Sequence, residues 1–229
     1  MNPLCLAIDT SDGSVVDSLV HATRPYVGMF KVGATTFAAL GPPVVIQVAA
    51  SKPVFCDLKL NDIPSQVEGA IAALGGLGVS YATVHALGGP DMVRAAVKAA
   101  PESLKILGVT VLTSLEAGDL ARLGIEGSIP ETVLRLGEMA LEAGVSGLVC
   151  PGREVALLRE RFGPTTAGGP ILVVPGIRHQ EGPSGDQQRT SRARAAIDAG
   201  ADVVVVGRLI THAADPGVTA RDILHNLTA

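Results

Sequence analysis

The stretch Val54-Phe-Cys-Asp-Leu-Lys-Leu-Asn-Asp-Ile-Pro64 holds the residues best suited to chemistry. It opens β-branched and aromatic and reads as a strand. Alternation along a strand puts Asp57 and Lys59 on one face, roughly 6–7 Å apart, with Cys56, Leu58 and Leu60 on the other. Asp62 follows where Asn61 and Pro64 turn the strand into a loop. Buried charges are costly unless paired. For Asp-x-Lys alone a structural ion pair is the commoner outcome. A third charge, at the carboxyl end of a strand, favours a site.

Positioning these charges is the work of a regular alternation. Apolar runs at Leu4–Asp9, Val27–Val32, Val54–Leu60, Tyr81–His85, Leu104–Leu112, Gly147–Cys150, Ile171–Val174 and Val203–Val206 read as strands. Helical segments separate them. Ser11 or Asp12 caps the first, Gly41-Pro-Pro43 interrupts the second, and Pro130 opens a longer one. Another is expected from about Ser114 to Leu123, and one more from about Ser191 to Ala199, after a polar loop over 179–188. Leu77–His85, Ala143–Cys150 and Ala199–Gly207 look like copies of one half-unit, in which a glycine closes a helix and a continuous apolar strand follows. Eight strands alternating with helices at this length predict a single (β/α)8 TIM barrel covering residues 1–229. A doubly wound open sheet is the alternative. It would show six or fewer strands and a Gly-x-Gly-x-x-Gly turn after the first, and the sequence has neither.

Barrel active sites form at the carboxyl ends of the strands. Those ends carry Asp9, Lys31, Asp57 with Lys59, His85, Thr113, Cys150, Pro175-Gly176 and Gly207-Arg208. Glycines beside Arg178 and Arg208, at the ends of strands seven and eight, suit a phosphate: backbone N–H groups approach closely and arginine supplies a charged fork. A lone Gly-Arg would be read as a turn.

Composition narrows the classes. Hydrophobic residues make up 47% of the 229, enough for a large core, and aromatics only 3%, so that core is aliphatic. A net charge of −4 supplies no basic field for nucleic acid or an anionic membrane. No apolar run reaches the roughly 20 residues that span a bilayer, and no signal-like segment opens the chain. Cys5, Cys56 and Cys150 are scattered and odd in number, as expected of buried thiols in a reducing compartment. A cytoplasmic protein is expected. Cys150 has no evident base nearby. His85 is read as packing or backbone hydrogen bonding rather than catalysis.

Asp57-Leu-Lys59-Leu-Asn-Asp62-Ile63-Pro64 resembles the Asp-x-Lys-x-x-Asp signature of the orotidine 5′-phosphate decarboxylase family. Pro175-Gly-Ile-Arg178, Gly185-Asp-Gln187 and Val206-Gly-Arg208 extend the likeness over essentially the whole chain. Departures are small: Leu60-Asn61 where an aromatic and histidine are common, and His179 where proline is usual. The resemblance implies decarboxylation of orotidine 5′-monophosphate (OMP) to UMP, without metal or organic cofactor. It makes Lys59 the acid that protonates C6, Asp57 the neighbour of the departing carboxylate, and Lys31, Asp57, Lys59 and Asp62 an alternating charge network. Asp62 and Ile63 would come from the partner subunit of a homodimer. Asp9 and Lys31 would bind ribose hydroxyls, and Thr113 would lie near the pyrimidine. Pro175, Arg178, Gln187, Gly207 and Arg208 would line the substrate's phosphate end.

Two rivals stand beside that reading. Mg2+-dependent sugar-phosphate enzymes of the same suprafamily place an acid at the end of strand two, where this chain has Lys31. A catalytically idle phosphate-binding barrel would have lost a lysine or an acid of the network, and all four are present.

Overall fold

Strands that are apolar at every position need cover on both faces, and a closed barrel within a helical ring provides it. The computed structural model describes residues 2–175 and 193–229. Eight parallel strands close in sequence order: β1 Leu4–Ile8, β2 Met29–Gly33, β3 Val54–Leu60, β4 Tyr81–His85, β5 Lys105–Val109, β6 Gly147–Val149, β7 Ile171–Val174 and β8 Val203–Val206. β8 pairs back onto β1 through Cys5 and Val205. The chain is a (β/α)8 barrel.

Around it run α1 Gly13–Thr23, α2 Ala34–Ala49, α3 Pro64–Gly75, α4 Gly89–Ala99, α5 Ala117–Arg122, α6 Ile129–Glu142, α7 Val155–Phe162, α8 over 193–198, α9 Arg208–Thr211 and α10 Pro216–Thr228. The two strand faces divide the core. Leu4, Leu6, Ile8, Val32, Cys56 and Val84 join the helix residues in an outer layer. Cys5, Ala7, Met29, Phe55, Tyr81, Leu107, Val109, Val149, Val173, Val203 and Val205 fill the barrel. Odd-numbered strand residues therefore face the interior, and the polar ones among them mark its mouth.

Local signals act largely as expected. Asp12 caps α1 by accepting the Ser14 N–H at 2.8 Å. Ser128 and Glu131 form a capping box ahead of α6, with Pro130 in its first turn. α2 is kinked at Gly41, whose φ of 66° lets the chain turn before Pro42 and Pro43. The three repeated half-units share one backbone device: Gly78, Gly144 and Gly200 all have positive φ, so each helix ends in the left-handed turn that a side chain would strain.

Some boundaries differ. β5 stops at Val109 rather than Leu112; Thr110 makes the last bonds to β6, its amide and hydroxyl both 3.1 Å from the Val149 carbonyl, and the chain then leaves the sheet. α5 begins at Ala117, set by a capping box of Glu116 and Asp119, so Ser114 lies in the preceding loop. The polar loop over 179–188 and the start of the next helix lie outside the described residues.

The barrel's amino end is closed by a polar clasp. The Arg159 guanidinium pairs with the Asp202 carboxylate and donates to the carbonyls of Gly200 at 2.6 Å, Gly163 at 3.1 Å and Pro170 at 2.7 Å. Asp202 in turn accepts the Leu172 N–H at 2.7 Å and the Thr165 hydroxyl at 2.8 Å. This group ties α7 to the starts of β7 and β8, the last strands to close the ring. Arg159→Ala leaves a part-buried carboxylate without its counter-ion and three carbonyls without their donor, and is expected to destabilise the fold by about 3 kcal/mol. A thermal-denaturation midpoint lowered by several degrees, with activity at room temperature retained, is the expected result; an unchanged midpoint would show the clasp to be dispensable.

Candidate active site

Parity brings Lys31, Asp57, Thr83 and His85 to the carboxyl end of the barrel interior, on three adjacent strands. Asp57 is the centre. Its Oδ2 lies 2.8 Å from Lys59 Nζ and 3.5 Å from Lys31 Nζ. Its Oδ1 accepts the Thr83 hydroxyl at 3.0 Å. Lys31 Nζ also lies 3.4 Å from Asp9 Oδ1, extending the line to β1. Signs alternate along it: Asp9, Lys31, Asp57, Lys59. Side-chain exposure rises from 8% at Asp57 and 11% at Lys31 to 37% at Lys59 and 54% at Asp9. The charges therefore lead from the packed interior to the open mouth.

β3 is not the regular strand expected. Cys56 pairs with Ala82 and Leu60 with Val84, so residues 57–59 stand opposite the single residue Thr83. Lys59 has φ 50°, the one non-glycine with positive φ among the described residues. That conformation costs a side-chain-bearing residue roughly 1–2 kcal/mol, and bulges of this kind often re-aim side chains beside active sites. Lys59 and Asp57 reach each other as predicted, but through a bulge. Leu58 and Leu60 keep to the outer layer with Cys56.

Two threonines that sequence reasoning passed over hold this arrangement. Thr83 is 1% exposed; besides donating to Asp57 it accepts the Lys59 N–H at 2.9 Å. Its only sequence signal is a parity shared with His85 in an otherwise apolar strand. Thr36, fully buried at the start of α2, has its hydroxyl 2.8 Å from the carbonyls of Ile8 and Thr10 and accepts the Thr10 N–H at 3.0 Å. It fixes the turn that carries Asp9. Gly33 completes the floor: a Cβ there would come within 2.7 Å of Asp9 Oδ1 and 3.0 Å of Lys31 Nζ.

Other predicted site residues lie as follows. Asp62 and Ile63 are exposed between β3 and α3; the Asp62 carboxylate accepts the Ile63 N–H at 2.7 Å, and Ile63 is 61% exposed. Among the described ion pairs Asp62 does not meet Lys59. Thr113 is exposed in the loop after β5. Pro175 directly follows β7; Gly207 follows β8 as the residue before α9, and Arg208 is the exposed first residue of that helix. Arg178 and Gln187 lie outside the described residues.

Cys150 is buried, and burial pushes its thiol up to about 12, which suits packing and not a nucleophile. Among the described residues no group of three or more His, Cys, Asp or Glu side chains is arranged to hold a metal ion, and no helix is long and apolar enough to cross a membrane.

Residues 2–223 match the family described as "Orotidine 5'-phosphate decarboxylase / HUMPS family". The chain belongs to this family. Orotidine 5′-phosphate decarboxylase of Anaeromyxobacter dehalogenans is 45% identical over 225 residues, 98% of this chain and 97% of that protein. The enzyme of the same name from Thermobifida fusca is 43% identical over 220 residues, 95% and 92% of the two chains. The crystal structure of orotidine 5′-phosphate decarboxylase from Lactobacillus acidophilus superposes with a TM-score of 0.84 at 31% identity, covering 100% of both chains. The family resemblance carried by Asp57–Pro64 is thus matched along the whole chain, as is the barrel.

His85 is 8% exposed, and its Nδ1 accepts the Leu87 N–H at 3.3 Å, capping the turn after β4. It plays the backbone role expected of it. Burial, and then the nearby Lys59 charge, lower its imidazole below the ordinary 6.5. A proton that the unfolded chain accepts below pH 6.5 is refused by the folded one, so this group's contribution to stability falls as pH drops through that value. Urea midpoints measured at pH 7.5 and 5.5 should differ more for the wild type than for His85→Gln; equal differences would assign the loss to other groups.

Proposed function

We propose that this chain is an orotidine 5′-phosphate decarboxylase, a carboxy-lyase that converts OMP to UMP and CO2 in de novo pyrimidine biosynthesis, in the cytoplasm and without a cofactor. The observation that carries the reading is the buried Asp57 carboxylate shared by Lys59 and Lys31 at the barrel mouth. Membership of a family whose relatives bear this enzyme's name supports it.

The chemistry asks for this arrangement. When the C6–carboxylate bond breaks, CO2 leaves and the electron pair stays on C6, in an orbital orthogonal to the ring π system. No ring carbonyl can absorb it. An ammonium held at C6 stabilises that pair as it forms and then gives it a proton, which completes UMP. Lys59 has that role. Asp57 sits beside the departing carboxylate; like-charge repulsion there weighs on the substrate and eases as charge leaves. Lys31 shares the same Asp57 oxygen and, with Asp9, meets the ribose hydroxyls. Thr113 lies by the pyrimidine ring.

Pro175, Arg178, Gln187, Gly207 and Arg208 line the phosphate end, where backbone N–H groups and guanidinium forks suit a dianion. Phosphate binding there, remote from C6, supplies energy for orienting the reacting groups.

The Mg2+-dependent alternative is disfavoured by Lys31. Its ammonium lies between the Asp9 and Asp57 carboxylates, so these two acids already share a cation.

A spectrophotometric assay tests the reading: OMP added to the purified protein in EDTA should be consumed as UMP forms. In the same assay Lys59→Ala should lose turnover while remaining folded, and Arg208→Ala should chiefly raise KM. No turnover by the wild type, with activity on sugar phosphates in Mg2+, would replace this function by the rival one.

Asp62 and Ile63 are proposed to reach the site of a partner in a homodimer. Their exposure beside the mouth, and the absence of Asp62 from the described ion pairs around Lys59, support that role. Asp62→Ala should be inactive. Mixed with Lys59→Ala and allowed to exchange subunits, it should regain roughly a quarter of wild-type activity, because half the dimers are hybrids with one intact site each. No recovery on proven exchange would place Asp62 and Lys59 in one chain's site.

A further inference from the structure

Thr83 faces three residues of β3 alone. Strand pairing runs normally through Cys56 and Ala82 and resumes at Leu60 and Val84, which leaves residues 57–59 without an ordinary ladder. The Thr83 hydroxyl fills that gap. It accepts the Lys59 N–H at 2.9 Å and donates to Asp57 Oδ1 at 3.0 Å, so one buried group fixes both the backbone of the lysine and the carboxylate of the acid. A hydroxyl has one proton to donate and lone pairs to accept with, and both are committed here.

We propose that Thr83 is a positioning residue for the reaction: it locks the Asp57 carboxylate with Oδ2 turned to Lys59 and Lys31, and it holds the bulge that aims Lys59. The inference rests on the roles proposed above for Asp57 and Lys59. Oδ1 has the Thr83 hydroxyl as its one described hydrogen-bond partner, so without that donor only the two ammonium contacts on Oδ2 orient the carboxylate. The left-handed Lys59 backbone is likewise tied to β4 through its N–H and that oxygen. Of the proposed substrate contacts, those of Pro175, Gly207 and Arg208 at the phosphate end have no bond to Thr83, while Lys31 is linked to it only through Asp57.

Valine matches threonine in shape and lacks the hydroxyl. Thr83→Val is therefore expected to lower kcat on OMP by about 10²-fold, the usual cost of misplacing reacting groups by about an ångström. KM should stay within about 3-fold, since the phosphate-end contacts are untouched and Lys31 keeps its pairing with Asp9. Thr83→Ser, which keeps the oxygen, should recover to within about 5-fold of the wild type. A merely structural role would not divide kcat from KM, nor valine from serine. Should Thr83→Val fail to fold, Thr83→Ala is measured in its place.

Wild-type kcat in the valine or alanine variant would overturn the proposal. So would equal losses in valine and serine variants. Lys59→Ala run alongside separates the two levels. If it is inactive while Thr83→Val is normal, only the role of Thr83 falls. If Lys59→Ala is itself fully active, the reading of the site falls and takes the Thr83 proposal with it.

Discussion

A carboxylate buried at the mouth of an aliphatic barrel cannot stand alone, because the cost of taking it from water far exceeds what apolar packing around it returns. Asp57 is such a group, and its neighbourhood is arranged to accommodate it. Lys31 comes from β2, Lys59 from its own strand, and Thr83 from β4. Each of those side chains is in turn placed by the closure of the ring. The mouth end of the interior face of three adjacent strands is thus arranged around one anion.

That arrangement depends on irregularity in β3. A straight strand would run its pairing with β4 through Lys59; here three residues face one, and a lysine takes a backbone conformation favoured by glycine. Strain of this kind persists where surrounding contacts over-determine it. The rest of the barrel is regular enough to do so. Its interior is plugged by Met29, Phe55, Tyr81 and the valines of β6–β8, and its amino end is closed by the Arg159–Asp202 clasp. Stability resides at one end and the candidate chemistry at the other, the division of labour usual in this architecture.

Lys31 also separates this site from metal-dependent ones on similar scaffolds. A divalent cation needs acids that converge on an open position. In this chain the Asp9 and Asp57 carboxylates converge on an ammonium instead, and a second ammonium shares the same Asp57 oxygen. Fold alone would not distinguish the two chemistries; the sign of one side chain at the end of β2 is where this chain differs from the metal-dependent pattern.

The strands, the helices between them and the residues at the mouth were legible because each is a local property. Continuous apolar runs, glycine after helix ends, and charges at strand ends are read from neighbours in sequence, and parity then decides which side chains share a face. Asp57, Lys59, Lys31 and Asp9 could be gathered at one mouth on that basis, and β4, β7 and β8 were delimited to the residue. The bulge at 57–59, the left-handed Lys59, the clasp of Arg159 on Asp202 and the roles of Thr83 and Thr36 were not legible. Each depends on register between strands or on a hydroxyl meeting a distant backbone, and the sequence of one strand carries no record of its offset against the next. Composition and periodicity determined that a barrel forms and which charges reach its mouth. Only the closure of the sheet decided how those charges are aimed, because aim is set by cross-strand contacts between residues 24 and 26 positions apart.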